Sequence, residues 1–196
     1  MFHKYLLLVL MLFLSVFGLA QENQNEISNS VSVEKSIFGA QIGIFGIWLH
    51  HEARLSNKIA LRSEIGLDTG LWWGEIYKNT GLVAGPVLTL EPRWYYNINK
   101  RNRKGKSTSD NSGNFISIKT SYHPDWFVIS NYQNIRIVSD ISFVPTWGIR
   151  RNIGKKLNFE TGIGLGYWTT VNTSSYWFSN LSGVAGNLHL RFGYKF

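Results

Sequence analysis

The stretch that most constrains the fold runs from Val87 to Ile98, where apolar and polar residues alternate strictly. A period of two is that of an extended strand whose two faces meet different surroundings. One face ends in aromatic residues, and the other carries both signs of charge, with Glu91 next to Arg93 in the polar series. The apolar face consists of Leu88, Leu90, Pro92, Trp94, Tyr96 and Ile98.

The same alternation recurs in later stretches, and no stretch of helical periodicity after residue 35 is available to cover the apolar faces. Residues 36–196 are therefore predicted to form an all-β, antiparallel up-and-down transmembrane barrel, apolar outside and polar inside. Seven strands are evident, and bacterial barrels of this kind have an even number. We therefore expect eight, with Ser36–Leu55 holding two strands that bend near Phe45 and Gly46. The other strands are predicted at Ile59–Leu67, Leu82–Ile98, Phe115–Tyr122, Ile135–Ile149, Leu157–Tyr167 and Asn187–Phe196.

The amino terminus has the pattern of an export signal. Lys4 precedes an apolar run over 5–17, and small residues occupy 18 and 20. This pattern predicts a signal peptide over 1–20, cleaved after Ala20. A membrane-anchor helix is the alternative, but the run is shorter than the roughly 20 residues that a helical span needs. The polar segment 21–35 is predicted to be a flexible lead-in, and the exported chain is expected in the bacterial outer membrane.

Connection lengths predict which end of the barrel faces which compartment. The short turns at 56–58 and 152–156 are expected on the periplasmic side, and the long connections 69–81, 123–134 and 168–183 on the outer side. Aromatic residues make up 15% of the chain. Those that flank the strands are expected to form two interfacial belts. The interface aromatics are Trp72, Trp94, Tyr96, Tyr122, Trp147, Tyr167, Trp168 and Tyr194.

The polar parity of the strands collects charges of both signs, which are expected to point into the barrel. An eight-stranded barrel is just wide enough for its own side chains, so these charges should pair and fill the lumen. A narrow gated pore is the alternative. The predicted lumen network is Glu52, Arg54, Arg62, Glu64, Glu91, Arg93, Lys119, Asp140, Arg150, Glu160, His189 and Arg191.

Two local groups raise the question of catalysis or metal binding. His50 and His51 are adjacent, so on a strand they point to opposite faces, and we predict no metal site there. His123 lies near Ser121, Ser130 and Asp125, but residues 122–125 also suit a simple turn. We see no catalytic motif, and we predict neither an enzyme nor a cofactor. The absence of Cys excludes disulfides and thiolate chemistry.

Basic residues are concentrated between 100 and 106, in a chain of formal net charge +8. An exported protein is not expected to meet nucleic acid. The segment is therefore interpreted as a solvated link, or as a patch that attracts anionic headgroups or an acidic periplasmic partner.

The closing stretch Leu188–Phe196 alternates and ends in an aromatic residue. It resembles the carboxy-terminal assembly signal of outer-membrane barrels, and the exported chain resembles small eight-stranded barrels of the OmpA and OmpX type. The resemblance implies that the barrel-assembly machinery reads Phe192, Tyr194 and Phe196. We expect no periplasmic domain after the barrel, so the resemblance does not imply a peptidoglycan anchor.

From this resemblance we expect a structural or surface-binding protein whose outer loops contact an extracellular protein or glycan. The bilayer and lipopolysaccharide would be its other partners. A small gated pore and a lipid-modifying outer-membrane enzyme remain the alternative functions.

Overall fold

A computed structural model describes residues 31–72, 81–131, 135, 137–171 and 181–196. Within these residues the chain forms nine strands, one short helix and one 3-10 turn. The strands are β1 Ser36–Gly43, β2 Gly46–Arg54, β3 Ile59–Trp72, β4 Gly81–Trp94, β5 Asn114–His123, β6 Ile129–Ser130, β7 Asp140–Ile153, β8 Leu157–Thr170 and β9 Ser182–Lys195. Helix α1 is Ile98–Arg103, and the 3-10 turn is Ser109–Asn111.

Eight of these strands close a barrel in which every pairing is antiparallel. Each pairs with the next long strand along the chain, and β1 pairs with β9 to complete the circle. The two-residue β6 lies beside one end of β4. The predicted all-β antiparallel barrel of eight strands is confirmed, including the first hairpin. Gly46 makes that hairpin possible, because its φ of 147° is in the region that favours glycine.

The strands are strongly staggered around the barrel. Starting at Gly39 on β1 and moving from each residue to its pairing partner on the next strand, one reaches Gly183 on β9. Gly39 itself, however, pairs directly with Lys195 of β9. The path therefore returns twelve residues away along β9. A stagger of this kind requires strands that tilt steeply against the barrel axis.

The two faces of the wall differ as the alternation predicts. Outward side chains are mostly large and apolar, and they are exposed along the whole height of the barrel, as in Phe38, Ile65 and Leu188. Inward side chains include arginines and glutamates that are completely buried. Among the described residues, no helix has the length and apolar character needed to cross a membrane.

The two ends of the barrel are also different. We call the end that carries residues 54–59, 95–113 and 153–157 the closed end, and the opposite end the loop end. At the closed end the connection 95–113 folds back across the barrel opening, where Tyr95, Ile98 and Phe115 pack with Val33 and Ala60 in a buried cluster. This connection was predicted to be a polar link only, and that prediction is incomplete.

Several strand boundaries differ from the prediction: β3, β8 and β9 each extend three to five residues further toward the loop end, to Trp72, Thr170 and Ser182. The predicted strand Leu82–Ile98 ends at Trp94, because Tyr95 donates its backbone N–H to the Lys58 carbonyl and the chain turns inward. Ile98 is therefore buried in α1 rather than exposed on the outer wall. The strand predicted from Ile135 begins at Asp140.

Residues 31–35 of the predicted flexible lead-in pack at the closed end. Val33 donates to the Asn57 carbonyl at 2.9 Å. The Glu34 carboxylate accepts from the Asp110 backbone N–H at 2.6 Å and pairs with Lys195 at 3.1 Å. These contacts attach the segment to both the connection 95–113 and the last strand. The rest of the lead-in, and the predicted signal peptide 1–20, lie outside the described residues.

Candidate functional site

The half of the barrel interior next to the closed end holds a balanced set of buried charges. Four arginines and four glutamates lie there, each nearly or completely inaccessible to solvent. Unpaired buried charge costs several kcal/mol, so such a set is stable only when its members pair and hydrogen-bond. The eight residues are Arg62, Arg93, Arg150, Arg191, Glu52, Glu64, Glu91 and Glu160.

Glu52 connects this ionic network to the closed end. Its carboxylate accepts from Arg150 Nη1 at 2.9 Å, from the Tyr95 hydroxyl at 2.8 Å and from Asn111 Nδ2 at 2.7 Å. Burial, reinforced by the negative charge of Glu52, raises the pKa of Tyr95 above its ordinary value, so the hydroxyl remains a donor. The connection 95–113 thus supplies two of the three hydrogen bonds on a carboxylate of the barrel wall.

Glu64 and Glu160 hold the other arginines. Arg191 Nη1 lies 2.9 and 3.1 Å from the two Glu64 oxygens, and Arg62 Nε also donates to Glu64. Arg93 forms a bidentate pair with Glu160, with both distances 2.8 Å. A bidentate guanidinium–carboxylate pair fixes orientation as well as charge.

Four uncharged residues, none of them among the predicted lumen residues, complete the network. Gln41 Oε1 accepts from Arg62 at 2.6 Å, and the Ser117 hydroxyl donates to Glu91 at 2.6 Å. The Trp48 ring lies 3.8 Å from the Arg191 guanidinium carbon, and the Phe115 ring 4.2 Å from that of Arg93. All four uncharged residues lie at strand positions that point inward, as the predicted charges do. This alternation is the sequence signal that could have identified them.

The half of the interior next to the loop end has a different composition. Several inward positions of β8 and β9 there are small, because Gly164, Gly166, Gly183 and Ala185 supply no large side chain. A cavity of about 610 Å³ opens in this half. Its polar lining comes from Trp48, Asp68, Lys119, Asn187, His189 and Arg191.

Four of the predicted network residues lie outside the paired core. Among the described residues, neither Lys119 nor the half-buried Arg54 forms an ion pair. His189 is buried, with Nε2 3.5 Å from Glu160. Asp140 does not join the buried network, because it lies at the loop end beside His123, where β7 begins.

The catalytic group that the sequence suggested is not assembled. His123 directs Nδ1 at Asp140, 3.0 Å away, and Nε2 at Asp68, 3.2 Å away. The Ser121 hydroxyl pairs instead with Thr89 at 3.0 Å. Both ring nitrogens of His123 therefore face carboxylates, which leaves neither to accept a proton from a serine hydroxyl.

No cluster of three or more potential metal ligands occurs in the described ranges. His50 is buried in the lumen against Gly39, whereas His51 stacks on Phe38 on the outer wall, with ring centroids 4.1 Å apart. The two histidines face opposite sides of the wall, as predicted from their adjacency.

The predicted interface aromatics are distributed as follows. At the closed end, Trp94, Tyr96, Trp147 and Tyr194 are exposed on the outer wall, and Trp147 Nε1 donates to the Tyr96 hydroxyl at 3.0 Å. Phe192 and Phe196, of the predicted assembly signal, are exposed on the same face as Tyr194.

Toward the loop end, Tyr167 is exposed and Tyr122 is half-buried on the outer wall. Trp168 departs from the prediction: it follows Tyr167 on β8, and its indole Nε1 lies 3.0 Å from where Gly183 would carry a Cβ on the inward face. Because side chains alternate along a strand, Trp168 belongs to the set that points into the lumen. Trp72 ends β3, and its side chain falls outside the described part of the chain.

No family model matches the sequence, and neither a curated protein nor a solved structure is significantly similar to it. Function has to be inferred from the barrel wall and its interior.

Proposed function

We propose that this chain is an outer-membrane β-barrel protein with a structural or surface-binding role, embedded in lipid and sealed at its closed end. The observation that carries the proposal is that the barrel reverses the usual arrangement, in which apolar side chains lie inside and charged side chains outside. The outer wall is apolar, while the centre holds four buried guanidinium groups, each paired with a buried carboxylate. In water this wall would expose an apolar surface far larger than monomeric proteins tolerate. In a bilayer the same wall is solvated by hydrocarbon.

The aromatic residues at the closed end support the same placement. Trp94, Tyr96, Trp147 and Tyr194 combine an apolar ring with a polar atom, the composition that favours the boundary between hydrocarbon and headgroups. Lys156 donates to the Tyr194 hydroxyl at 3.0 Å, which places a cation at the same level. A cation there suits the phosphate layer of a membrane.

Orientation follows from the connections. The closed end, with its short turns and packed connection, would face the periplasm, and the loop end would face outward. Ligand recognition through the long outer loops remains part of the proposal. The segments 73–80, 132–134 and 172–180 of those loops lie outside the described residues. Contact with lipopolysaccharide and recognition of Phe192, Tyr194 and Phe196 by the assembly machinery are further parts of it.

A gated pore is the second candidate, and the interior argues against it. The ionic network and the cluster of Tyr95, Ile98 and Phe115 lie one above the other on the path that an ion would take. Opening this path would require breaking several buried ion pairs at once. The third candidate, a lipid-modifying enzyme, would need a nucleophile and base other than Ser121 and His123.

The proposal is tested by refolding residues 21–196 into phospholipid vesicles. We expect a β-rich species that runs faster on SDS gels before boiling than after it, resists extraction with alkaline carbonate, and gives no ion current in planar bilayers. A soluble β-rich protein that carbonate releases would overturn membrane insertion. A steady current would favour the pore.

A further inference from the structure

The barrel wall has a notch on one side of its loop end. Strands β1 and β2 contain 8 and 9 residues, whereas their outer neighbours β9 and β3 contain 14 each. Pairing between β1 and β9 stops at Gly43 and Arg191. Within the described residues, Ser182–Leu190 of β9 therefore have a strand partner on β8 only. The first hairpin ends about half-way up the wall that surrounds it.

The tip of this short hairpin is apolar. Ile44 and Phe45 form the turn, and 69% and 49% of their surfaces are exposed. Turns that face water favour Gly, Asn, Asp and Ser, as in the turn 55–58 at the closed end. An Ile–Phe tip half-way up an apolar wall instead suits a turn that ends within hydrocarbon. The notch would then open sideways into the bilayer.

The loop-end cavity reaches through this notch to the outer wall. Alternate residues of one strand point to opposite sides, so Leu188 and Leu190 face outward while Asn187, His189 and Arg191 face inward. All five line the same cavity, together with Ile44 and Phe45. One space therefore joins a polar interior to an apolar exterior around the free edge of β9.

Among the described residues, the polar side of this space holds one cation without an ion-pair partner. The four buried arginines are balanced by four buried glutamates, and Lys119 is an additional inward cation above them. Asp68 also lines the cavity, but its oxygens are already engaged by Trp48 Nε1 at 2.7 Å and by His123. Arg191 Nε is buried and has no hydrogen-bond acceptor among the described residues. The cavity thus presents donors and a cation to whatever enters it.

We propose that the notch is a lateral binding site for a single-chain amphiphile with an anionic head, such as a long-chain carboxylate. The head would lie near Lys119 and Arg191, and the chain would lie along Leu188, Leu190 and the hairpin tip. Open strand edges do not face hydrocarbon directly, so the free edge of β9 needs a polar partner. Water and an anionic head in the notch would supply one. The inference rests on the proposed lipid-embedded barrel.

The test uses 11-(dansylamino)undecanoic acid as the probe, with the refolded wild-type protein in neutral detergent. We expect saturable binding of one probe per barrel, competed by decanoate but not by acetate. Lys119→Met should weaken binding about tenfold or more, the cost of losing one hydrogen bond to a charged group. Lys155→Met removes an exposed lysine at the closed end, and it should leave binding unchanged. The methyl ester of the probe should bind as weakly as the acid binds to Lys119→Met.

A second pair of variants tests the notch itself. A side chain added at Gly186 would meet nothing within 4 Å, so Gly186→Trp should fold and obstruct the opening. Val184→Trp, two residues nearer the loop end on the same face, is the matched control and should bind normally.

Each variant is first checked for the heat-dependent gel shift of the folded barrel. Folded protein that binds acid and ester equally, or that binds as well with Lys119→Met as without it, would overturn the lateral site and leave the proposed function standing. Failure of the wild-type chain to fold in detergent or vesicles would contradict the proposed function itself, and the site with it.

Discussion

At the scale of single residues, the interior is held together by hydrogen bonds between charged groups that water does not reach. Glu52 illustrates this, because its stabilising contacts depend on its position in the barrel as well as on its charge. It touches Arg150, Tyr95 and Asn111, which come from the wall and from the connection 95–113. Removing its charge would take from the buried Arg150 its nearer carboxylate and leave Glu160, 3.8 Å away.

Replacing Glu52 with Gln should therefore lower the free energy of unfolding by about 3–5 kcal/mol. The matched control is Glu34→Gln, which removes a partly exposed carboxylate from its pair with Lys195 and should cost about 1 kcal/mol or less. Urea titration of tryptophan fluorescence in vesicles measures both. Equal losses for the two variants would contradict the ionic network described for the lumen.

Lys119 should behave in the opposite way. Among the described residues no carboxylate lies within ion-pairing distance of it, so its charge costs stability in the free protein. We expect Lys119→Met to leave the unfolding free energy unchanged or to raise it. Arg93→Met, which removes the bidentate partner of Glu160, should lower it by several kcal/mol. A loss of similar size for Lys119→Met would show that it has a structural partner.

At the scale of elements, strand alternation could be predicted from the sequence because a period of two depends only on local geometry. The faces of β4, β8 and β9 are those expected from Leu90, Leu165 and Leu188. The closure by residues 95–113 could not be predicted in this way. Asn111 reaches Glu52 across 59 positions of sequence, and no local pattern reports such a contact.

The same limit explains the notch and the cavity. The glycines at 162, 164 and 166 lie on the inward face of β8, where they leave space in the lumen. The unequal lengths of β1 and β9 emerge only when the registers of both strands are known. Trp168 was assigned to the interface from its position near a loop, whereas strand β8 continues to Thr170 and turns its ring inward.

Strand β8 offers a test of depth in the membrane. Ile163 and Leu157 both face outward, with 60% and 51% of their surfaces exposed, but Ile163 is central and Leu157 lies at the closed end. Ile163→Arg should lower the free energy of unfolding in vesicles by about 2–4 kcal/mol, and Leu157→Arg by about 0–1 kcal/mol. Since both are exposed, a barrel folded in water would tolerate the two changes equally.

The connection 95–113 makes its own prediction. Ile98 is completely buried at the closed end, so Ile98→Ala should lower the free energy of unfolding by about 2–5 kcal/mol through the cavity it leaves. Ile153→Ala alters an exposed side chain at the same end and should change it by about 0.5 kcal/mol or less. If Ile98→Ala were as mild as its control, the connection would not be a packed part of the barrel.

At the scale of the whole molecule, the barrel combines a core of charges with a surface of hydrocarbon side chains. It is sealed at one end by aromatic packing and open at the side of the other. Under the proposed function, the outer wall meets lipid over a band between the aromatic levels of the two ends. The height of that band is the property on which the proposed function and the lateral site both depend.

The most direct measurement is a depth profile along β9 in vesicles. The chain has no Cys, so single Cys variants at Val184, Leu188, Leu190 and Tyr194 each carry one fluorescent label. Lipids brominated near the bilayer centre should quench the labels at Leu188 and Leu190 most, and those at Val184 and Tyr194 least. Equal or absent quenching at all four positions would show that this wall does not cross a bilayer.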